Sequence, residues 1–293
     1  MKHLRPWLFT GPSLLVIAAL VVFPILFTVW LSFTNLGIFT WQNPAFAGLK
    51  NYERILGNLD SGFFGALGFT LAWTALNLAI QFVLALAVAL LLNVPGLRGA
   101  GIYKTIIILP WAVPSYISAL VWRNGMFNED YGLLNRVLAS LGAGPVPWLS
   151  TDGWAFLSLL AVNLWLALPF LILVILGGLQ SIDKDYYDSA KIDGAGWWAQ
   201  IRTITIPLLG PVLAPAMLMT AFVTFKQFDL VYLMLQQTGS RTGASIHTVI
   251  TYAYEKAFVT NNYGLSAALS VVIFAIMVVL TLVTWKRPGK ELR

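Results

Sequence analysis

Six stretches of the chain are almost purely apolar, and most polar and charged residues lie in the segments between them. The runs cover 8–33, 67–93, 102–124, 154–177, 207–232 and 265–285. A helix needs about 20 apolar residues to cross a hydrocarbon layer roughly 30 Å thick. Lipid offers the backbone no hydrogen-bond partner, so each run is predicted to be helical. A six-strand barrel would need alternating apolar and polar positions. These runs are continuous, and the last, LSAALSVVIFAIMVVLTLVTW, carries no charge. The expected fold is an all-α polytopic membrane protein of six spans, one transmembrane domain over 1–293 without an internal repeat.

Composition agrees. The chain is 58% hydrophobic and 10% charged, against about 25% charged in a soluble domain. The net charge of +6 suits nucleic acid less well than membrane orientation, because the basic residues are scattered between the spans. With the N-terminus inside, the cytoplasmic side carries Lys2, Arg5, Arg98, Lys104, Lys184, Lys191, Arg202, Lys286, Arg287, Lys290 and Arg293. The outer side carries Lys50, Arg54, Arg123, Arg136, Arg241 and Lys256, and Lys226 lies within a span. The bias predicts both termini in the cytoplasm. The first run follows Lys2, His3 and Arg5 but is long, with no small-x-small site directly after it, which predicts an uncleaved span. Pro24 predicts a kink within it. There is no cysteine, and His3 and His247 are the only histidines. Disulfides, thiolate chemistry and a histidine-rich metal site are thereby excluded.

The outer connections are 34–66, 125–153 and 233–264, the last with the polar tract QQTGSRTGAS. None is large enough for a separate domain. The most informative connection lies between the fourth and fifth runs, where Tyr186 to Pro207 read YYDSAKIDGAGWWAQIRTITIP. Ser181 is placed to cap a short helix, with Asp183 and Asp185 in its first turn. Gly194 then permits a sharp turn. Ala195 to Ile204 form a second short helix, and Pro207 opens the fifth span. Ser189 and Ala190 are small enough for close approach by a partner, and Asp188 offers a carboxylate for a charge-assisted bond. A polar loop with a turn glycine is common in polytopic proteins, so acid-Ser-Ala with one glycine is weak by itself.

The full run of Asp188, Ala190, Ile192-Asp193-Gly194-Ala195, Gln200, Ile204 and Pro207 resembles the cytoplasmic loop of permease subunits in binding-protein-dependent ABC importers. That resemblance implies a type I importer permease fold, with a coupling loop at 181–207 that docks on an ATPase subunit. Tyr187, Asp188, Ser189, Ala190, Asp193, Gly194 and Ala195 would carry the docking. The family's glutamate is Asp188 here, its first alanine is Ser189, and the leucine before the final proline is Ile206. NPAFAGLKNYERIL resembles the family's usual stretch before its second span.

The resemblance extends along nearly the whole chain and is closest to the sugar-importing branch of maltose type, without the extra N-terminal spans and large outer domain of its larger permease. LPWAVPSYIS (109–118), NLWLALPF (163–170) and TAFVTFKQFDLVY (220–232) carry it. Matching positions implicate Trp111, Ser115, Asn163, Leu166, Ala167, Phe170, Thr220, Val223, Thr224 and Gln227 in a solute path. Several differ in type from the family's pattern, including Trp111 for a tyrosine and Thr224 and Gln227 for asparagines, which implies a retuned pocket. The chemistry of these positions fits a sugar site, which needs an aromatic platform with a few hydroxyl and amide partners. Thr220, Thr224 and Gln227 share a helix face. The competing reading is that such polar residues join helices. Pro110, Pro114 and Pro169 are placed to break spans along the path. Lys226 and Asp229 are close enough in sequence to pair, near the outer end of the fifth run.

The segment LGGLQ (176–180) looks like an ATPase signature but ends a span, and no G-x-x-x-x-G-K-[ST] loop exists in the chain. ATP and Mg are therefore expected on partner ATPases, with no cofactor, metal or catalytic residue on this chain. The expected function is that of a non-catalytic permease of a di- or oligosaccharide ABC importer in a bacterial or archaeal cytoplasmic membrane. Its partners would be a second permease, two ATP-binding-cassette subunits and an extracytoplasmic solute-binding protein. The alternative is an ion-coupled secondary sugar transporter, for which Asp229 is the one midplane carboxylate candidate.

Overall fold

The computed structural model describes residues 5–57, 62–235 and 246–285. The polar tract at 236–245 and the charged chain ends at 1–4 and 286–293 lie outside the described residues. The helices are α1 (Arg5–Ile17), α2 (Phe23–Ser32), α3 (Lys50–Leu56), α4 (Phe63–Leu92), α5 (Ala100–Ala112), α6 (Ser115–Val121), α7 (Leu133–Ser140), α8 (Asp152–Ser181), α9 (Lys184–Ile192), α10 (Trp197–Gln200), α11 (Ile206–Phe225), α12 (Asp229–Leu235), α13 (Val249–Phe258) and α14 (Tyr263–Trp285). Wide π turns occupy Ala18–Val22, Trp122–Met126 and Ile201–Thr205. Among the described residues the β-pairing is a single bridge, Thr34 to Phe46.

Five helical runs are long and apolar enough to cross a membrane: Phe9–Ser32, Phe63–Leu92, Asp152–Ser181, Trp197–Leu235 and Tyr263–Leu282. The pair Ala100–Ala112 and Ser115–Met126, bent by 92°, makes a sixth if taken as one span. The third predicted span is thus not a straight helix. Val113 is extended (φ −88°, ψ 128°) and Pro114 follows at φ −55°, ψ 137°. A residue before proline is pushed out of the helical region by the ring, and the span breaks there. The fifth run also differs, since helix α11 ends at Phe225 and α12 begins afresh at Asp229.

The other prolines do not break their spans. Pro169 is buried within α8, and Pro110 lies within α5. Pro207 stands in the first turn of α11 as expected, although backbone angles stay helical from Gln200 through Ile206 and the helix runs on from the turn before it. A proline lacks the N–H for its own i−4 bond, and its ring crowds that carbonyl. Here a π turn comes just before Pro207, closed by Ile206 N–H donating to the Ile201 carbonyl. The same device precedes Pro24, where Phe23 N–H donates to the Ala18 carbonyl.

The chain divides into two compact units, one of residues 1–67 with 249–283 and one of 68–248 with 284–293. In the first, Asn51 of α3 donates from Nδ2 to the carbonyls of Ser32 (2.9 Å) and Thr34 (2.8 Å), satisfying acceptors where α2 ends. Tyr52 adds a 2.6 Å hydroxyl contact to Ser32. Gly264 opens α14 against this connection, where a Cβ would lie 2.2 Å from the Thr34 carbonyl oxygen. Only glycine fits there.

The second unit holds two apolar clusters. One gathers Trp73, Leu159, Val162, Leu230 and Met234 from α4, α8 and α12. The other gathers Ala85, Ala89, Leu171, Ile175, Leu209 and Leu213 from α4, α8 and α11. Alanines on α4 let backbones approach, the usual device where lipid supplies no hydrophobic drive between helices.

Candidate functional site: the exposed loop and the broken spans

Both candidate regions lie in the second unit. In the loop after α8, the capping residue is Asp183 rather than the expected Ser181. Ser181 still belongs to α8 and donates from its hydroxyl to the Gly178 carbonyl at 2.7 Å. The extended residues Ile182 and Asp183 then separate the helices, and Asp183 Oδ1 accepts from Asp185 N–H at 3.1 Å. Helix α9 ends as the turn glycine predicts. Gly194 has φ +78°; its N–H donates to the Lys191 carbonyl at 3.0 Å, and Ala195 N–H donates to the Ala190 carbonyl at 2.9 Å. These two bonds form a Schellman closure.

The second loop helix is not separate, because α10 runs through the π turn into α11. Tyr187 ties α9 to that turn through a 3.0 Å hydroxyl contact with Thr205, and Gln200 Nε2 donates to the Ala195 carbonyl at 2.8 Å. Asp188, Ser189, Asp193 and Gly194 are exposed, while Tyr187, Ala190 and Ala195 are half-buried. Ile192 is 87% exposed and Trp198 75%, an apolar surface on a polar loop.

Asp188 is not a free carboxylate. Lys191 donates to it at 2.8 Å. This hydrogen bond and charge hold the Asp188 carboxyl below its ordinary range. A basic partner has to displace or share the Lys191 contact.

At the broken spans, the first residues of α6 and α12 meet. Ser115 Oγ donates to Asp229 Oδ2 at 2.9 Å. At the other end Arg123 donates to the Leu233 carbonyl at 3.2 Å, a cation on the last turn of α12, where the helix dipole favours it. The two half-spans therefore run side by side, joined at both ends. Lys226 and Asp229, expected as a possible pair, form no ion pair; Lys226 is exposed at the end of α11.

The predicted path residues divide into groups. Trp111 and Phe170 are brought together, with ring centroids 6.4 Å apart and planes 27° from parallel. Trp111 is 59% exposed and Val223 is 53% exposed. Leu166, Ala167 and Gln227 are half-buried, and Gln227 lies in the break between α11 and α12. Thr220 and Thr224 are buried, and Thr220 returns its hydroxyl to the Ala216 carbonyl at 2.9 Å. Asn163 is buried and donates to Asn77 Oδ1 at 2.6 Å.

Asn77 was not among the sequence candidates. It lies on α4 with Gln81 one turn later, and both are fully buried. Asn77 also donates to the Trp73 carbonyl at 2.8 Å. Both polar atoms of the Gln81 amide lack a protein partner, as does the Trp73 indole N–H. Two amides four residues apart in an apolar run were the available sequence signal.

Such a set of spans, two of them broken and adjacent, with an exposed helix–turn–helix between α8 and α11, defines a multi-pass membrane protein of the transport-permease class. The comparisons make the class specific. Residues 81–285 match the family model described as "Binding-protein-dependent transport system inner membrane component", and the chain belongs to that family. It is 34% identical over 275 residues to the trehalose/maltose transport system permease protein MalF of Thermococcus litoralis, covering 94% of this chain and 90% of the relative. It is 33% identical over 289 residues to the galactooligosaccharides transport system permease protein GanP of Bacillus subtilis, covering 94% and 68%. A solved chain from a bacterial ABC transporter involved in the import of the acidic polysaccharide alginate superposes with TM-score 0.78 at 22% identity, over 98% of this chain and 99% of that one. The fold is that of a type I ABC importer permease.

Proposed function

We propose that the chain carries a di- or oligosaccharide across the membrane as a non-catalytic subunit of an ABC importer. The carrying observation is the agreement of sugar-permease relatives along 94% of the chain with the exposed, Schellman-closed helix α9 at the coupling position. A second permease, two ATP-binding-cassette subunits binding ATP and Mg, and an extracytoplasmic solute-binding protein complete the machine. The alginate transporter crystallised with a pentasaccharide-bound periplasmic protein supports a delivery partner of that kind. Both termini lie in the cytoplasm on this reading, which the Lys and Arg distribution supports.

Closure of the ATPases moves α9 and its Gly194 turn. Because α10 is continuous with α11, the displacement passes along α11 to the break at Lys226–Phe228 and to the Ser115–Asp229 junction. Trp111 stacked on Phe170 offers a face for sugar C–H groups, and Ser115, Gln227 and Asp229 offer hydroxyl partners at the broken ends. Solute and nucleotide each bias the same two conformations, so coupling is a difference of affinities. Uptake of labelled disaccharides and trisaccharides into vesicles holding the whole complex tests the substrate class. Uptake that discriminates among saccharides and weakens in Trp111→Ala supports the reading; indifference to saccharide with ready amino acid uptake contradicts it.

A further inference from the structure

In the first unit, α3, α13 and the starts of α4 and α14 line an open pocket of about 320 Å³. We propose that it binds the phosphate group of an anionic lipid headgroup.

Two cations, Arg54 and Lys256, line it, and no acidic side chain among the described residues does. Neither cation has a carboxylate within salt-bridge distance among the described residues. Glu53 and Glu255, their sequence neighbours, are not among the residues that line it. Tyr252 and Asn262 add polar groups to the wall. Lys256 Nζ stands 4.8 Å from the Tyr252 ring centroid, which restrains the ammonium. Asn262 Oδ1 accepts from Leu265 N–H, so its amide N–H groups remain to donate. Two cations and the Asn262 amide thus line one space, a match to a phosphodiester.

Depth selects the source of the phosphate. The floor is apolar, made by Phe63, Leu265 and Leu269. Phe63 is the first residue of α4, and the two leucines lie in the first two turns of α14. The pocket therefore sits where spans leave the hydrocarbon. Trp41 meets Tyr263 edge-on at 5.8 Å at that end of α14, as in the aromatic belts of membrane interfaces. A lipid places its phosphate among the cations and its glycerol and first methylenes over the floor. A hydrated inorganic anion or an acidic protein side chain leaves that floor unused.

The test is native mass spectrometry of the intact complex released from membranes, incubated with dioleoyl phosphatidylglycerol or dioleoyl phosphatidylcholine. Wild type is expected to retain phosphatidylglycerol preferentially. Loss of both cations in Arg54→Gln/Lys256→Gln is expected to lower that retention on the order of 30-fold, while Arg54→Lys/Lys256→Arg keeps it and controls for folding. Equal retention by wild type and the neutral variant overturns the proposal. So does displacement of the lipid by inorganic phosphate at equal concentration, which indicates a free-phosphate site. Weakened capture of the solute-binding protein with unchanged lipid retention also overturns it, in favour of an acidic protein surface.

Discussion

Ser115 Oγ lies 2.9 Å from Asp229 Oδ2, although the residues are 114 positions apart in the chain. The bond joins the first residues of two half-spans, each begun by a break in a longer apolar run. A hydrogen bond to a carboxylate, partly exposed as here, contributes about 1 kcal/mol. A double-mutant cycle of Ser115→Ala and Asp229→Asn on the melting of the purified complex is expected to give a coupling of about that size. Strict additivity would mean the half-spans are not joined there.

Asn163 donates to Asn77 Oδ1 in the interior, so removing either leaves a buried amide atom of the other unpaired. Asn163→Leu is expected to destabilise by about 2 kcal/mol, and Asn77→Leu/Asn163→Leu to recover most of that loss. The same variants decide the role of Asn163. A KM for sugar that stays raised in the double variant makes it a path residue, whereas recovery of KM with stability leaves it a helix-joining residue.

Gln81 makes the opposite prediction. Its amide is fully buried with neither polar atom paired to protein. Gln81→Leu is expected to stabilise by about 1–3 kcal/mol, read as a raised melting temperature. A lowered one would mean that the amide is paired in the assembled protein.

The Asp188–Lys191 pair is fixed in sign. The Asp188 carboxyl is held below its ordinary value of 3.8, first by the hydrogen bond from Lys191 and then by its charge. A depressed pKa contributes stability above the unfolded value, lost as pH falls through the folded one. The pair is therefore intact at neutral pH and opens only below 3.8. Lys191→Met is expected to move the Asp188 titration, followed by carboxyl NMR shifts, back up toward 3.8. Because the pair is exposed, added salt should shrink the difference.

The spans and the loop were legible in the sequence for physical reasons. Uninterrupted apolar runs such as 265–285 have one stable form in lipid, and a glycine after Asp188 to Asp193 has one obvious use at φ +78°. The errors came from prolines and caps. Pro114 breaks its span while Pro110 and Pro169 do not, because the outcome depends on whether the surrounding packing holds the helix together. Ser181 lost the capping role to Asp183 because α8 extends further than hydropathy alone indicates. The path was only partly legible. Trp111 and Phe170 meet, yet Asn163 turns inward to Asn77, a partner that only the packing of α4 on α8 reveals.

The most direct test of the account concerns Gly194. No neighbouring atom would crowd a Cβ there, so Gly194→Ala meets only backbone strain of about 1 kcal/mol, whereas proline cannot adopt the positive φ or donate the bond to Lys191. Labelled disaccharide uptake should be measured in vesicles holding the complete complex, as wild type, Gly194→Ala and Gly194→Pro. The account predicts ATP-dependent uptake in wild type, a reduced rate in the alanine variant, and loss in the proline variant with the complex still assembled. Uptake driven by an ion gradient without ATPase subunits, unaffected by Gly194→Pro, would contradict it.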